Sequence, residues 1–271
     1  LHSFPTRRSS DLMSVVDSIK DVVRPTYYKI AHHHVRGKCV ETMDKYNGFK
    51  DKHYGEICFV VANGPSLKVE DLNKVFENGT YSFGMNRIYK IYDRTMWRPT
   101  YYLTQDPHLI RRTYKEAISA TKDSVVFQRS TGERRFDFPN AVFYEVDYAR
   151  TWNNQKPIFS DCSNCIVEDG TTVTYSALQI AAYMGFKTIY LIGCDCNYSP
   201  DNSITRESYP DPRMYDEKAV GCPPDIAYQF MAYKVAKDEC EKKGVKIYNA
   251  TRGGKLEIFD RVDLDEVLSK I

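Results

Sequence analysis

Neither sign of charge is in clear excess in this sequence. Lys and Arg total 38 against 36 Asp and Glu, a net charge of +2. A protein built to bind nucleic acid carries a basic surplus, so no nucleic-acid partner is expected. Also missing is any apolar run approaching the roughly 20 residues that cross a bilayer, so no transmembrane helix is expected. No secretory signal is evident, and the eight cysteines are therefore expected as reduced thiols in a cytoplasmic protein. Zinc-ligand spacing is absent too. Cys162-Ser-Asn-Cys165 is followed by Cys194-Asp-Cys196, and the second spacing is wrong for a zinc knuckle.

What is present suits an α/β enzyme. The 271 residues are 42% hydrophobic, enough for one large domain or two small ones. Tyrosine is abundant, at 21 residues; its flat face and polar tip suit sugars or bases, but the same side chain fills cores. Residues 1–12 are Arg- and Ser-rich, match nothing that follows, and look like translated adapter sequence, so Met13 is expected as the start. Residues 13–54 are expected as a helical extension, two short helices broken at Pro25 and then a polar connector from Lys45. Its consecutive His32, His33 and His34 point three ways around a helix and cannot share a metal. Lys20, Arg24, Lys29, Arg36 and Lys38 leave room for peripheral contact with an anionic membrane face.

Residues 55–271 are expected to form one Rossmann-like domain. Ile57-Cys-Phe-Val-Val-Ala62 is too short for an ordinary helix and apolar throughout, which predicts a strand buried on both faces. Asn63-Gly64-Pro65 breaks it, and Ser66 is expected to cap the next helix. That strand–turn–helix geometry presents backbone N–H groups to an anion. Strands are also predicted at Tyr81–Gly84, Thr100–Thr104, Ser124–Gln128, Ala141–Val146, Thr188–Ile192 and Lys246–Asn249. The first three end in Asn63 and Ser66, Asn86 and Arg87, and Asp106 and His108. In an open α/β sheet ligands lie beyond the carboxyl ends of strands, so these endings predict a cleft. Ordinary helix caps are the competing explanation.

Residues 147–169 and 197–223 show no period and are expected as loops at the site, the second as a lid or a plain excursion. Gly170-Thr-Thr-Val-Thr174 opens a buried helix, where hydroxyls and backbone donors could hold phosphate or simply cap. Pro224 precedes a last long helix, Asp225–Lys243, with Ala227, Phe230, Met231, Ala236 and Cys240 as expected buried positions. Alternation of strands and helices predicts a doubly wound, mostly parallel sheet.

Six segments together resemble one family. They are Asn63–Leu67, Met85–Tyr89, Pro99–Tyr102, Gly170–Thr174, Gly185–Asp195 and Asn249–Leu256. The family is the 6-hydroxymethylpterin diphosphokinase-like domain family, many of whose members sit in bacterial polysaccharide gene clusters. The layout is also similar to bacterial CMP-sialic acid dependent sialyltransferases. The resemblance covers about Tyr54 to Ile271. It implies nucleotide contacts at Asn63, Gly64, Ser66, Asn86, Thr172, Val173 and Thr174, and a leaving-phosphate contact at Tyr198. Those sialyltransferases use a His before the last long helix as base. Here that stretch reads Val220-Gly-Cys-Pro-Pro224, and no His follows His108. A carboxylate, Asp195, Asp106 or Asp216, is then expected as base, with His108 an outside candidate.

The leading expectation is a metal-independent transferase with a nucleotide-sugar donor, CMP-linked by resemblance, and a glycan acceptor. The alternative implied by the family name is diphosphate transfer from ATP to a hydroxymethyl pterin, with Mg²⁺ held by Asp106 and Asp195. A third reading is a nucleotide-binding module without catalysis.

Overall fold

A computed structural model describes residues 39–198, 203–217 and 225–271. The adapter-like residues, the predicted helices between Val15 and residue 38, the three histidines, the basic residues of that stretch and Val220–Pro224 lie outside the described residues.

Strands β1 (Ile57–Val61), β2 (Tyr81–Met85), β3 (Tyr101–Thr104), β4 (Val125–Arg129), β5 (Val142–Asp147), β6 (Ile166–Glu168), β7 (Thr188–Ile192), β8 (Lys246–Asn249) and β9 (Asp260–Arg261) form one sheet. Its order is β6-β5-β4-β3-β2-β1-β7-β8-β9, and every neighbouring pair is parallel. Helices α1 (Met43–Asn47), α2 (Val69–Glu77), α3 (Pro107–Ala120), α4 (Ala149–Trp152), α5 (Val173–Tyr183), α6 (Ile226–Lys242) and α7 (Leu264–Leu268) complete it. Successive strand residues face opposite sides of a sheet. Cys58, Phe59, Val60 and Val61 are all fully buried, so both faces of β1 are covered, as in a doubly wound fold.

The chain runs from β1 outward to β6, then returns to lay β7 on the other side of β1. Between β1 and β7 the direction of travel reverses. Ligand crevices of open α/β sheets form at such a switch point, beyond the carboxyl ends of the strands.

Three stretches differ from the sequence expectation. The predicted polar connector carries α1 and is packed into the core. Tyr46 lies 5.1 Å from the Tyr183 ring, Phe49 5.2 Å from Phe127, and His53 donates to or accepts from Tyr101 Oη at 2.6 Å. The predicted loop at 147–169 contains α4 and β6; a three-residue strand is too short to show a period. Helix α6 buries Tyr228, Ala232, Ala236 and Cys240 with Gln229 and Tyr233, while Met231 is exposed. Its inward face is partly polar, which an apolar pattern cannot reveal. Tyrosine mostly fills the core in this way, with Tyr46, Tyr101, Tyr102, Tyr144, Tyr175 and Tyr233 all fully buried.

Candidate functional site

At the switch point the turn after β1 and the turn after β7 lock into one another. Gly64 N–H donates to Gly193 O at 2.8 Å. Ser66 donates to Asp195 Oδ2 through Oγ at 2.8 Å and through its backbone N–H at 3.3 Å. A Cβ on Gly64 would stand 2.0 Å from Asp195 Oδ2 and 2.5 Å from Gly193 O, which excludes any side chain there. Ser66 is therefore not the cap of α2. That cap is Lys68, which makes no side-chain cap bond, because the Ser66 hydroxyl is drawn across to Asp195. Burial raises the Asp195 carboxyl above the usual carboxylate range, and the Ser66 bonds work against that rise.

With the amides of Gly64 and Ser66 engaged, the turn offers the cleft a side chain. Asn63 Nδ2 donates to Met85 O at 3.0 Å, and its Oδ1 is buried with no hydrogen-bond partner among the described residues. Asn86, at the end of β2, repeats the arrangement. It adopts a left-handed φ of 51°, tolerated by Asn, its carbonyl accepts from Tyr102 Oη at 2.5 Å, and its Oδ1 is also buried and unpartnered. Buried acceptors are nearly always paired in folded proteins, and leaving one unpaired costs about 1–3 kcal/mol. Two such oxygens on one wall mark a surface shaped for hydrogen-bond donors of a ligand.

Both asparagines line two adjoining hollows, of about 440 Å³ and 200 Å³. The opposite wall is the start of α5. Thr172 is its cap, its Oγ1 accepting from Thr174 N–H at 3.3 Å, and Thr172 and Val173 line both hollows. First-turn N–H groups of a helix have no intrahelical acceptor, so this wall brings donors and a positive helix end. Thr174 lies deeper, its Oγ1 3.6 Å from Met85 Sδ, and faces only the smaller hollow. Half-buried Tyr198 borders both, and burial raises its hydroxyl above the ordinary tyrosine range.

The charged residues divide between the hollows. Gly64 and Asp195 border the smaller one, and Ser66 sits behind them. Asp106 and Asp216 border the larger one, with Arg87 and Arg129. Asp106 Oδ1 caps α3 by accepting from His108 N–H at 2.8 Å; His108 itself is exposed and lines neither hollow. Asp216 is gripped by Arg112 through two bonds of 3.1 Å. The segment around it is fastened further by Arg213, which pairs with both Asp93 and Asp211 at 2.8 Å.

The pair expected to hold Mg²⁺ is not brought together. Among the described residues no three metal-ligating side chains converge. Asp106 and Asp195 border different hollows, one committed to a helix cap and the other to Ser66. Arg129, Gln105 and Tyr148 line the larger hollow without having been singled out from sequence. Arg129 is the last residue of β4, so the strand-end rule that found Asn63, Asn86 and Asp106 would have found it had the strand been extended one residue.

A family model described as 6-hydroxymethylpterin diphosphokinase MptE-like matches residues 35–201. No curated protein matches the chain. Solved structures similar to it include a glycosyltransferase and two sialyltransferases. The MAf glycosyltransferase from Magnetospirillum magneticum AMB-1 is 15% identical with a TM-score of 0.49, over 85% of this chain and 39% of its own. The chain thus spans about two fifths of that protein's length. The monofunctional alpha-2,3-sialyltransferase Cst-I from Campylobacter jejuni is 20% identical with a TM-score of 0.46, over 72% of this chain and 75% of its own. The Campylobacter jejuni sialyltransferase CstII, in complex with the substrate analogue cytidine-5'-monophosphate, is 15% identical with a TM-score of 0.47, over 77% and 85%. Since the family model spans more than half of its residues, the chain belongs to the 6-hydroxymethylpterin diphosphokinase MptE-like family.

Proposed function

We propose that the chain is a nucleotide-sugar dependent glycosyltransferase, with a CMP-linked donor and a glycan acceptor, working in cell-surface polysaccharide or lipooligosaccharide assembly. The observation that carries this reading is the pair of buried, unpartnered acceptors, Asn63 Oδ1 and Asn86 Oδ1, on one wall of the cleft. Ribose hydroxyls and a base amine are donors that such oxygens accept. Across from them the start of α5 at Thr172 and Val173 offers N–H groups to the leaving phosphate, with Tyr198 beside it. Gly64, Ser66 and Thr174 hold this wall in shape.

In the transfer step an acceptor hydroxyl oxygen bonds to the anomeric carbon as the bond from that carbon to the phosphate oxygen breaks. The nucleotide leaves with the bonding electrons. The hydroxyl proton goes to a carboxylate, a role assigned to Asp106 in the larger hollow, with Asp216 and Asp195 as its rivals. Asp216 gives both oxygens to Arg112 and Asp195 borders only the smaller hollow, whereas Asp106 uses only Oδ1 for its cap bond, which favours Asp106. Crystals grown with CMP test the reading. Nucleotide density between Asn63, Asn86 and Thr172 is expected; density elsewhere, or none at saturating CMP, contradicts it.

Diphosphate transfer to a pterin, the activity in the family's description, is the second reading; Asp106 and Asp195, the pair expected to hold Mg²⁺ for it, border different hollows, which favours glycosyl transfer. Magnesium-dependent ATP binding measured by calorimetry would restore that reading. A nucleotide-binding module without catalysis would bind CMP and show no donor hydrolysis or transfer with any acceptor tried.

A further inference from the structure

Four charged side chains line the larger hollow, and three of them are already hydrogen-bonded to protein. Asp106 caps α3, Arg129 donates to Glu145 at 3.3 Å and to Tyr148 Oη at 3.1 Å, and Asp216 accepts from Arg112. Arg87 differs. Its side chain is 13% exposed, and its Nε and Nη1 are buried without a hydrogen-bond partner among the described residues. The nearest opposite charge, Asp216 Oδ2, is 3.8 Å from Nη1, which is within ion-pair range but too long for a hydrogen bond. That carboxylate is held by Arg112, so one negative charge is shared between two guanidiniums.

A guanidinium is never neutral in a protein, and its planar fork fits two oxygens of one carboxylate or phosphate. Leaving two of its donors buried and unpaired is costly. Arg112 holds both oxygens of the Asp216 carboxylate at 3.1 Å, and Arg87 stays beyond hydrogen-bond distance from it. It is also placed by its neighbours: Asn86 precedes it in the left-handed turn that ends β2, and Arg87 itself sits at φ −90°, ψ 19°, within the following 3-10 turn.

We propose that Arg87 is a receptor for an oxyanion, a carboxylate or phosphate carried by the substrate, and sets substrate specificity in the larger hollow. The anion engages Nη2 together with Nε, the side-on fork, or together with Nη1, the end-on fork. The inference rests on reading the cleft as a substrate site but not on the substrate being a CMP-sugar. The anion belongs either to the nucleotide's own phosphate or to a second group on the sugar or the acceptor.

The test is nitrogen-15 NMR of arginine Nε–H groups, with inorganic phosphate, acetate, CMP and cytidine as probes. The Arg87 signal is the one absent from Arg87→Lys. It is expected to move on titration with phosphate or acetate, and Arg87→Met is expected to weaken that binding at least about tenfold. Cytidine, which has no anion, is expected to bind wild type and Arg87→Met alike. If phosphate still moves the signal once CMP is bound, the anion is a second group. If CMP moves it and phosphate then does not, the anion is the nucleotide's phosphate. A signal that none of phosphate, acetate and CMP moves overturns the proposal. So does an Arg87→Met protein that binds both inorganic anions like wild type. Should Arg87→Met fail to fold, the wild-type titration and Arg87→Lys, which keeps the charge and loses the fork, decide alone. Absence of CMP and cytidine binding with the anion shifts intact would sink the nucleotide reading and leave the receptor standing.

Discussion

The two sides of the cleft treat their polar groups in opposite ways. Where β1 meets β7, each polar group named has a partner: Gly64 N–H with Gly193 O, Ser66 with Asp195, Cys194 N–H with Thr251 Oγ1 at 3.0 Å. Facing the end of β2, Asn63 Oδ1, Asn86 Oδ1 and two nitrogens of Arg87 have none among the described residues. Satisfied groups in close contact build a rigid frame, and unsatisfied ones on a concave wall are left for a ligand. Residues that look alike in the sequence motif Asn63-Gly-Pro-Ser66 thus divide into frame and ligand face.

The comparison can be broken most forcefully at the frame. Gly64→Ala puts a Cβ into Asp195 and Gly193, and overpacking against backbone costs about 3 kcal/mol; urea denaturation is expected to show that loss. A cost under about 0.5 kcal/mol would mean the two turns are not locked together.

Asp195→Ala removes the acceptor for both Ser66 bonds and is expected to cost about 2 kcal/mol. Asp195→Asn keeps an acceptor and sharpens the point through pH. Because burial raises the folded-state pKa of Asp195, its protonated form is favoured by folding. That contribution is fully present below the ordinary carboxylate pKa and is lost as pH rises through the raised value. Wild type should therefore lose ground to Asp195→Asn as pH rises from about 4 toward neutrality. Parallel stability–pH curves for the two proteins would contradict this assignment.

The smallest effect is expected from Arg112→Met. The Arg112–Asp216 pair is partly exposed, with Arg112 at 40% and Asp216 at 19%, so its net contribution to stability is about 0.5 kcal/mol or less. The variant frees Asp216 to engage Arg87, and anion binding in the larger hollow is expected to weaken while stability barely moves. Unchanged anion affinity would show that Asp216 does not compete for Arg87.

Much of the fold was legible in the sequence because parallel strands buried on both faces announce themselves as apolar runs. The run Ile57–Ala62 contains the strand Ile57–Val61, and Thr188–Ile192 is a strand as expected. β6 and β9 were not, since three- and two-residue strands carry no period and are defined by their neighbours. The strand-end rule points Asn63, Asn86 and Asp106 to one cleft and the helix start adds Thr172, while His108, offered by the same rule, lines neither hollow. It could not tell which donors and acceptors would be used up. Ser66 reads as a helix cap until Asp195, 129 residues away, is seen to take its hydroxyl. Arg87 reads as one more strand-end residue until its nitrogens are seen to be buried without partners. Satisfaction of polar groups is a property of tertiary contacts, and no local pattern encodes it.

The central claim, that the Asn63 and Asn86 wall holds a nucleotide, is tested most directly by calorimetric titration of CMP into wild type and Asn63→Ala, with thermal melts of both. Asn63 Oδ1 makes no hydrogen bond within the protein, although its Nδ2 does. The account predicts measurable CMP binding to wild type, a loss of about tenfold in Asn63→Ala, and melting temperatures within a few degrees. No detectable heat from CMP, CDP or UDP at high concentration, or equal CMP affinity in the two proteins, would contradict it.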